Sequence, residues 1–179
     1  SALRALLAQG DVGGAQDYIA GVDKAVAAST TIMDTHNPLL DSILTRKYEE
    51  ATRQGVSVYF DLCDLRNFPL SGVDMVTVLA NLLDNAIKHS PTGATVTLAC
   101  QTDDEQIKIS ISDQGEGISA EHLPHVFDRF YSGQRGGHGL GLALVQHVCN
   151  ASGWQVSAGN SPAGGARVTV DLGASLRRF

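Results

Sequence analysis

Three short stretches hold side chains that together suit a nucleoside triphosphate and a divalent cation. They are Asn81-Leu82-Leu83-Asp84-Asn85-Ala86-Ile87-Lys88-His89, then Asp113-Gln114-Gly115-Glu116-Gly117-Ile118, then Gly137-His138-Gly139-Leu140-Gly141. Asn81, Asn85 and Lys88 recur at helical spacing, so they share one side of a helix whose other side carries Leu79, Leu82, Leu83 and Ala86. Mg²⁺ takes oxygen ligands and is commonly shared with substrate phosphates, so the side-chain carbonyl of Asn85 suits it, with Asn81 in support. Lys88 can reach a phosphate as a flexible point charge, and the His89 ring can lie against a purine.

Asp113 closes the apolar-alternating run Ile107 to Ser112, and Gly115 and Gly117 allow the backbone behind it to turn tightly. A carboxylate only accepts hydrogen bonds, so it takes one from the amino group of adenine and repels the carbonyl of guanine. Gly136 to Gly141 runs straight into Leu142-Ala143-Leu144-Val145. That places a glycine loop at a helix N-terminus, where unpaired amides attract phosphate. No Gly-Lys-Ser or Gly-Lys-Thr follows, so it is not a P-loop, and no clear strand precedes it as a dinucleotide fingerprint requires. Arg129 and Arg135 stand just before the glycines as further positive charge for phosphates, and the sequence does not choose between them. Each stretch by itself has an ordinary explanation: a solvated helix face, a turn closing a strand, a flexible linker. Their order argues for ATP with Mg²⁺.

Bulk properties restrict the alternatives. The net charge of -6 and pI of about 5.4 exclude a surface devoted to nucleic acid, which needs clustered Lys and Arg. With 43% hydrophobic residues over 179, the chain can bury one substantial core plus an appendage. Its apolar runs all fall short of the ~18 residues of a membrane span. The opening Ser1-Ala2-Leu3 lacks a Met or a signal-peptide pattern, which leads us to expect a fragment of a longer protein. Cys63, Cys100 and Cys149 fit neither a disulfide framework nor a metal knuckle, and read as buried or idle thiols in a reducing cytoplasm. His122 and His125 with Glu121 and Asp128 do not complete a zinc spacing and read as exposed helix-end groups.

The elements that must position these residues follow from periodicity. Leu3 to about Gln54 is helical in character, with Asn37-Pro38 offering a cap and a proline for the first turn of its last helix. On that helix Leu39, Leu40, Ile43, Leu44 and Tyr48 form the apolar stripe, and Arg46, Lys47, Glu49, Glu50 and Arg53 the solvated side. Gly55 ends it and Val56 to Phe60 reads as a strand. A helix starts at Ser71 or Gly72 and is stopped by Ser90-Pro91-Thr92-Gly93. Ala94 to Cys100 and Gln106 to Ser112 form a hairpin around Thr102-Asp103-Asp104-Glu105, and Glu121 to Phe130 a short helix whose aromatic residues Phe127, Phe130 and Tyr131 pack the base of the glycine segment. A helix from Leu140 to Ala151 and strands Trp154 to Ala158 and Ala166 to Leu172 complete the chain. The expected fold is α+β, a two-layer α/β sandwich. Its mixed, largely antiparallel sheet is covered on one face by the helices from Ser71, Glu121 and Leu140 and preceded by a helical appendage. The boundary falls near Gln54, giving 1–54 and 55–179.

These stretches resemble the catalytic ATP-binding domain of sensor histidine kinases, within the gyrase, chaperone, histidine kinase and mismatch-repair ATPase superfamily and its Bergerat-type fold. Asn81 to His89 is similar to the family's N-box, Asp113 to Ile118 to its first glycine box and Val126 to Tyr131 to its phenylalanine box. Gly137 to Gly141 matches its second glycine box, and Gly164-Gly165 its final glycine turn. The resemblance implies Asn85 as Mg²⁺ ligand with Asn81 assisting, Lys88 at the phosphates, Asp113 on the adenine amino group and Ser132 to His138 as an ATP lid. Catalytic roles would fall to Asn85, Lys88 and Arg135. The binding set would be Asn81, Asn85, Lys88, His89, Asp113, Gly115, Gly117, Ile118, Arg129, Gly137, His138, Gly139, Leu140 and Gly141. It further implies donation of the γ-phosphate to a histidine upstream of the fragment, since His36 precedes Asn-Pro rather than an acidic residue. A response regulator receiver domain would be the partner, the N-terminal helices would form a homodimer, and the location would be the cytoplasmic part of a membrane-anchored sensor. The fragment itself would touch neither membrane nor nucleic acid. The rival readings are an anti-sigma-type serine kinase and a nucleotide-free docking scaffold of the same fold.

Overall fold

The computed structural model describes residues 35, 37–62, 72–102, 106–131 and 139–173. The expected helices before Asp34, His36, Cys63, the turn at 103–105 and the segment Ser132 to His138 with Arg135 and Gly137 lie outside them. In chain order the described elements are α1 (Pro38–Arg53), β1 (Ser57–Asp61), α2 (Gly72–His89), β2 (Thr95–Thr102) and β3 (Ile107–Ser112). A 3-10 turn (Leu123–His125), α3 (Gly141–Ser152), β4 (Gln155–Asn160) and β5 (Ala166–Asp171) follow. Among the described residues no helix is long and apolar enough to cross a membrane.

The strands form a five-stranded sheet in the order β1-β2-β3-β5-β4. Only β1 and β2 run parallel; the other neighbouring pairs are antiparallel. Alternation along each strand decides which face is covered. Val96, Leu98 and Cys100 of β2 and Ile107, Ile109 and Ile111 of β3 point into the core. Leu98 lies opposite Ile111, and Ile109 opposite Val170 of β5. The other face carries Thr95, Thr97, Ser110, Ser112, Arg167 and Thr169 and stays polar.

α2 is the central helix. Met75, Val78, Leu79, Leu82, Leu83, Ala86 and Ile87 are buried along it, a wide stripe that serves the sheet and both flanking helices. Each fully buried leucine on it contributes about 1.5–3 kcal/mol relative to exposure.

The expected mixed sheet with helices on one face is the fold observed, with a correction to which helices cover it. Glu121 to Phe130 forms no α-helix, only the 3-10 turn at Leu123–His125. Pro124 removes an amide, and the segment buries no residue that would hold a helix down. Its histidines differ from one another: His125 is exposed and pairs with Asp128 at 2.8 Å, whereas His122 is half-buried with Nδ1 against the Tyr131 hydroxyl. Phe130, expected to pack the base of the glycine segment, is 74% exposed and sits at a φ of 64°.

The covering helix in its place is α1, packed on α2 and β1. α1 lies in the same unit as the sheet, Thr35–Phe179. Asn37 caps it as expected: Oδ1 accepts from the amides of Leu39 and Leu40 at 3.1 and 3.2 Å, with Pro38 in the first turn. Thr35 adds a hydroxyl bond to Asp41 at 2.6 Å.

The buried stripe of α1 is Leu40, Leu44, Lys47 and Ala51, so Lys47 is inside, against the expectation of a solvated side. Its ammonium pairs with Asp84 of α2 and with Glu50 at 2.9 Å. Burial works against the charged ammonium, but the hydrogen bonds and charges of Asp84 and Glu50 outweigh it and raise the Lys47 pKa. The Lys47 bond, in turn, holds the Glu50 carboxyl below its ordinary value.

Of the cysteines expected as buried or idle thiols, Cys149 is one and Cys100 is not. Cys100 is disulfide-bonded, because sequence separation says nothing about which cysteines a fold brings together. Cys149 is a buried free thiol whose pKa burial pushes up to about 11, leaving it protonated and inert.

Candidate nucleotide site

The site grows out of the C-terminal half of α2. Thr77, Asn81 and Asn85 are half-buried on the side of that helix away from the sheet. The Asn81 amide nitrogen donates to the Thr77 carbonyl at 2.7 Å. A carbonyl only accepts, so the amide nitrogen faces it and the amide oxygen is turned the other way. Facing it is the first residue of α3. A Cβ built on Gly141 would lie 3.3 Å from Asn81 Oδ1 and 3.4 Å from Asn85 Nδ2. The structure therefore brings the asparagine pair and the start of α3 into van der Waals reach, two features 56 residues apart in the chain (141 minus 85).

α3 begins at Gly141 with Leu140 in the capping position and no side-chain cap. Its first amides are thus left without the partner a Ser, Asp or Asn would give. This polarity complements an anion, as oxygen-bearing side chains opposite complement a hard cation. Gly139 lies just before, at a φ of 61° that favours glycine, and its carbonyl accepts from the Phe130 amide at 2.9 Å. This bond closes the two ends of the glycine segment onto each other.

The far end of α2 meets the second motif. His89 is its last residue, half-buried, and a Cβ on Gly115 would collide with the His89 carbonyl. Glycine at 115 is what allows the strand end to approach the helix end. Lys88 is exposed on the last turn, and Arg129 is exposed after the 3-10 turn.

Asp113 is 7% exposed at the end of β3. One oxygen, Oδ1, accepts from the amide of Gly115 at 2.8 Å and from that of Ala166 at 3.0 Å. Its own amide donates to the Ala166 carbonyl at 2.9 Å. Among the described residues Oδ2 receives no bond, so the carboxylate is oriented by the backbone with one acceptor to spare. Gly165 makes this possible: it holds a φ of 77°, and a Cβ there would collide with the Asp113 carbonyl.

The bend continues through Gly117, at a φ of 77°, to Ile118, whose amide donates to Asn160 Oδ1 at 2.7 Å and whose carbonyl accepts from Asn160 Nδ2 at 2.8 Å. Ala166 and Asn160 were not among the residues expected at this site. Ala166 acts through its backbone, which leaves no trace in residue type, and Asn160 before Ser-Pro reads as a turn residue. Of the expected set, Asn81, Asn85, His89, Asp113, Gly115, Gly117, Ile118 and Gly141 line these contacts. Arg135, Gly137 and His138 are outside the described residues.

The described residues thus form a one-faced α/β sandwich that carries an asparagine pair facing the uncapped, glycine-led start of α3, and a buried carboxylate at the end of β3. Residues 71–175 match the family described as "Histidine kinase-, DNA gyrase B-, and HSP90-like ATPase", and the chain belongs to it. It is 38% identical over 132 residues to the sensor histidine kinase CusS of Escherichia coli K12, covering 69% of this chain and 27% of that protein. It is 36% identical over 111 residues to the sensor-like histidine kinase SenX3 of Mycobacterium bovis, covering 59% of this chain and 27% of that one. The chain thus spans about a quarter of the length of these relatives. Among solved structures it resembles the mycobacterial sensor histidine kinase MprB at 25% identity and a TM-score of 0.63, over 75% of this chain and 95% of that one. The catalytic domain of the histidine kinase ThkA shares the fold, with a TM-score of 0.69 at 20% identity over 80% of this chain and 95% of that one.

Proposed function

We propose that the chain is the ATP-binding catalytic portion of a two-component sensor histidine kinase. It donates the γ-phosphate of ATP to a histidine upstream of it, for relay to a response regulator aspartate. Asp113 is the observation that carries this reading: backbone amides hold one oxygen and leave the other for the adenine amino group. A carbonyl at that position of the base would be repelled, so the site selects adenine over guanine. Ile118 gives the base an apolar contact, and the His89 ring lies beside it.

At the other end Asn85, with Asn81, offers amide oxygens suited to Mg²⁺, and Lys88 and the first amides of α3 meet the phosphates. The oxygen-rich, uncharged donor set fits a cation that arrives bound to the triphosphate. When bound, Mg²⁺ neutralises charge on the β- and γ-phosphates. The chain's own groups position rather than react. The acceptor imidazole nitrogen forms the new N–P bond, the bond from the γ-phosphorus to the bridging oxygen breaks, and ADP departs with that oxygen's electron pair. The segment from Ser132 to His138, with Arg135, serves as the lid over the phosphates. In the whole protein the N-terminal helices of residues 1–54 contribute to a homodimer, a membrane anchor belongs to the full-length sensor, and a receiver domain is the partner.

The test is transfer. The chain is mixed with a longer version containing the upstream histidine and with ATP labelled at the γ-position. Acid-labile, alkali-stable label on the longer chain is the expected outcome. Calorimetry that finds no ATP binding in the presence of Mg²⁺ would overturn the reading.

A further inference from the structure

Residues 113 to 118 cross the site between two strands that hold them at both ends. At the first residue, Asp113 exchanges hydrogen bonds with the backbone of Ala166 in β5. At the last, Ile118 exchanges two with the side chain of Asn160 in β4. Asn160 and Ala166 are direct partners across the β4–β5 ladder, so one rung of the sheet grips the whole bend. The amide can sit only one way here, because the Ile118 N–H must meet its oxygen and the Ile118 carbonyl its nitrogen. Asn160 Oδ1 also lies 2.8 Å from where a Cβ on Gly117 would be, so the side chain shapes the positive-φ turn beside it.

Asn160 is itself exposed and buries no apolar surface that its loss would open. Its two bonds are spent on the placement of Ile118. We propose that Asn160 is a positioning residue for the purine: it fixes Ile118, and with it the apolar contact and the approach to Asp113, without touching the phosphates. This deepens the proposed function and rests on it.

The experiment compares probes that share only part of the ligand. Affinities of the 179-residue chain for Mg·ATP, for ADP and for Mg·tripolyphosphate are measured by displacement of a fluorescent ATP analogue, in wild type and in Asn160→Ala and Asn160→Ser. Loss of two neutral hydrogen bonds in Asn160→Ala should weaken ATP and ADP alike by about tenfold, with tripolyphosphate unchanged. Asn160→Ser, which restores one bond, should fall between wild type and Asn160→Ala and keeps the test open should the alanine variant fold poorly. Unchanged ATP affinity, or an equal loss for ATP and tripolyphosphate, would overturn the inference and make Asn160 a structural residue or an idle one. A wild-type chain that binds no Mg·ATP would overturn it together with the proposed function. Wild-type binding with indifferent variants would overturn this inference alone.

Discussion

Around Asp113 the backbone does the fixing, whereas Asn81 and Asn85 are side chains standing on a helix opposite the start of α3. Gly115 and Gly165 close around the Asp113 residue with contacts that an added Cβ would not allow, the amides of Gly115 and Ala166 hold the carboxylate, and the acceptor is set before any ligand arrives. On α2, Asn81 and Asn85 are half-buried, and the first amides of α3 have no side-chain cap. The contrast suits the ligand. A purine edge presents a fixed pattern of donors and acceptors, best met by rigid dipoles, while a triphosphate with its metal and hydration needs groups that adjust.

Disturbing the rigid end should have the largest effect. Gly165→Ala puts a methyl group into the Asp113 carbonyl at a φ that disfavours it, and should cost about 3 kcal/mol or more in a denaturant melt, with ATP binding lost. An alanine variant of wild-type stability would mean that this end is as adjustable as the other. Next in size, Asp113→Asn keeps the shape but replaces one acceptor oxygen with a donor, and should weaken ATP by about ten- to a hundredfold, equally with Mg²⁺ or EDTA. Asn85→Ala should weaken ATP by about tenfold in Mg²⁺ and leave affinity in EDTA unchanged. Titration of both variants under both conditions separates the two ends. The same metal dependence in each would erase the distinction.

The smallest effect concerns the helix that carries the adjustable end. Lys47 ties α1 to Asp84, the residue before Asn85. Lys47→Met exchanges a buried ammonium for an apolar side chain of similar size and leaves Asp84 and Glu50, both substantially exposed, to solvent, so it should change stability at pH 7 by no more than about 1 kcal/mol. Its signature is in the pH profile. Glu50 has a lowered pKa, so its contribution is present above the ordinary carboxyl value of 4.5 and is lost as pH falls through the lower folded value. Lys47 has a raised one, so its contribution is present below the ordinary 10.5 and is lost as pH rises through the higher folded value. Melting temperatures of wild type should therefore fall more steeply than those of Lys47→Met at both the acid and the alkaline limb.

Much of the fold was legible without coordinates wherever one element reports its own burial. The apolar stripe of α2, the alternation of β2 and β3, the Asn37-Pro38 cap and the glycine at the head of α3 are local patterns. Each was read in the right place to within a few residues. For the candidate site, residue types at Asn81, Asn85 and Asp113 singled out the positions, and the structure adds that the asparagines face Gly141 and that backbone amides hold Asp113. Lys47 and Glu121 to Phe130 were misread for one reason. Burial of a lysine depends on Asp84 of α2, 37 positions away, and a proline-containing segment becomes a helix only if something packs on it.

Residue order alone settled the chemistry on offer and the helices and strands that carry it, because hydrophobic period and side-chain type act over a few residues. Which helix covers the sheet, that Gly141 faces Asn81 and Asn85, and that one rung of β4 and β5 grips both ends of the bend from Asp113 to Ile118 were decided only by the folded chain. Such meetings are set by a strand order in which β5 inserts between β3 and β4, and no local pattern encodes that crossing.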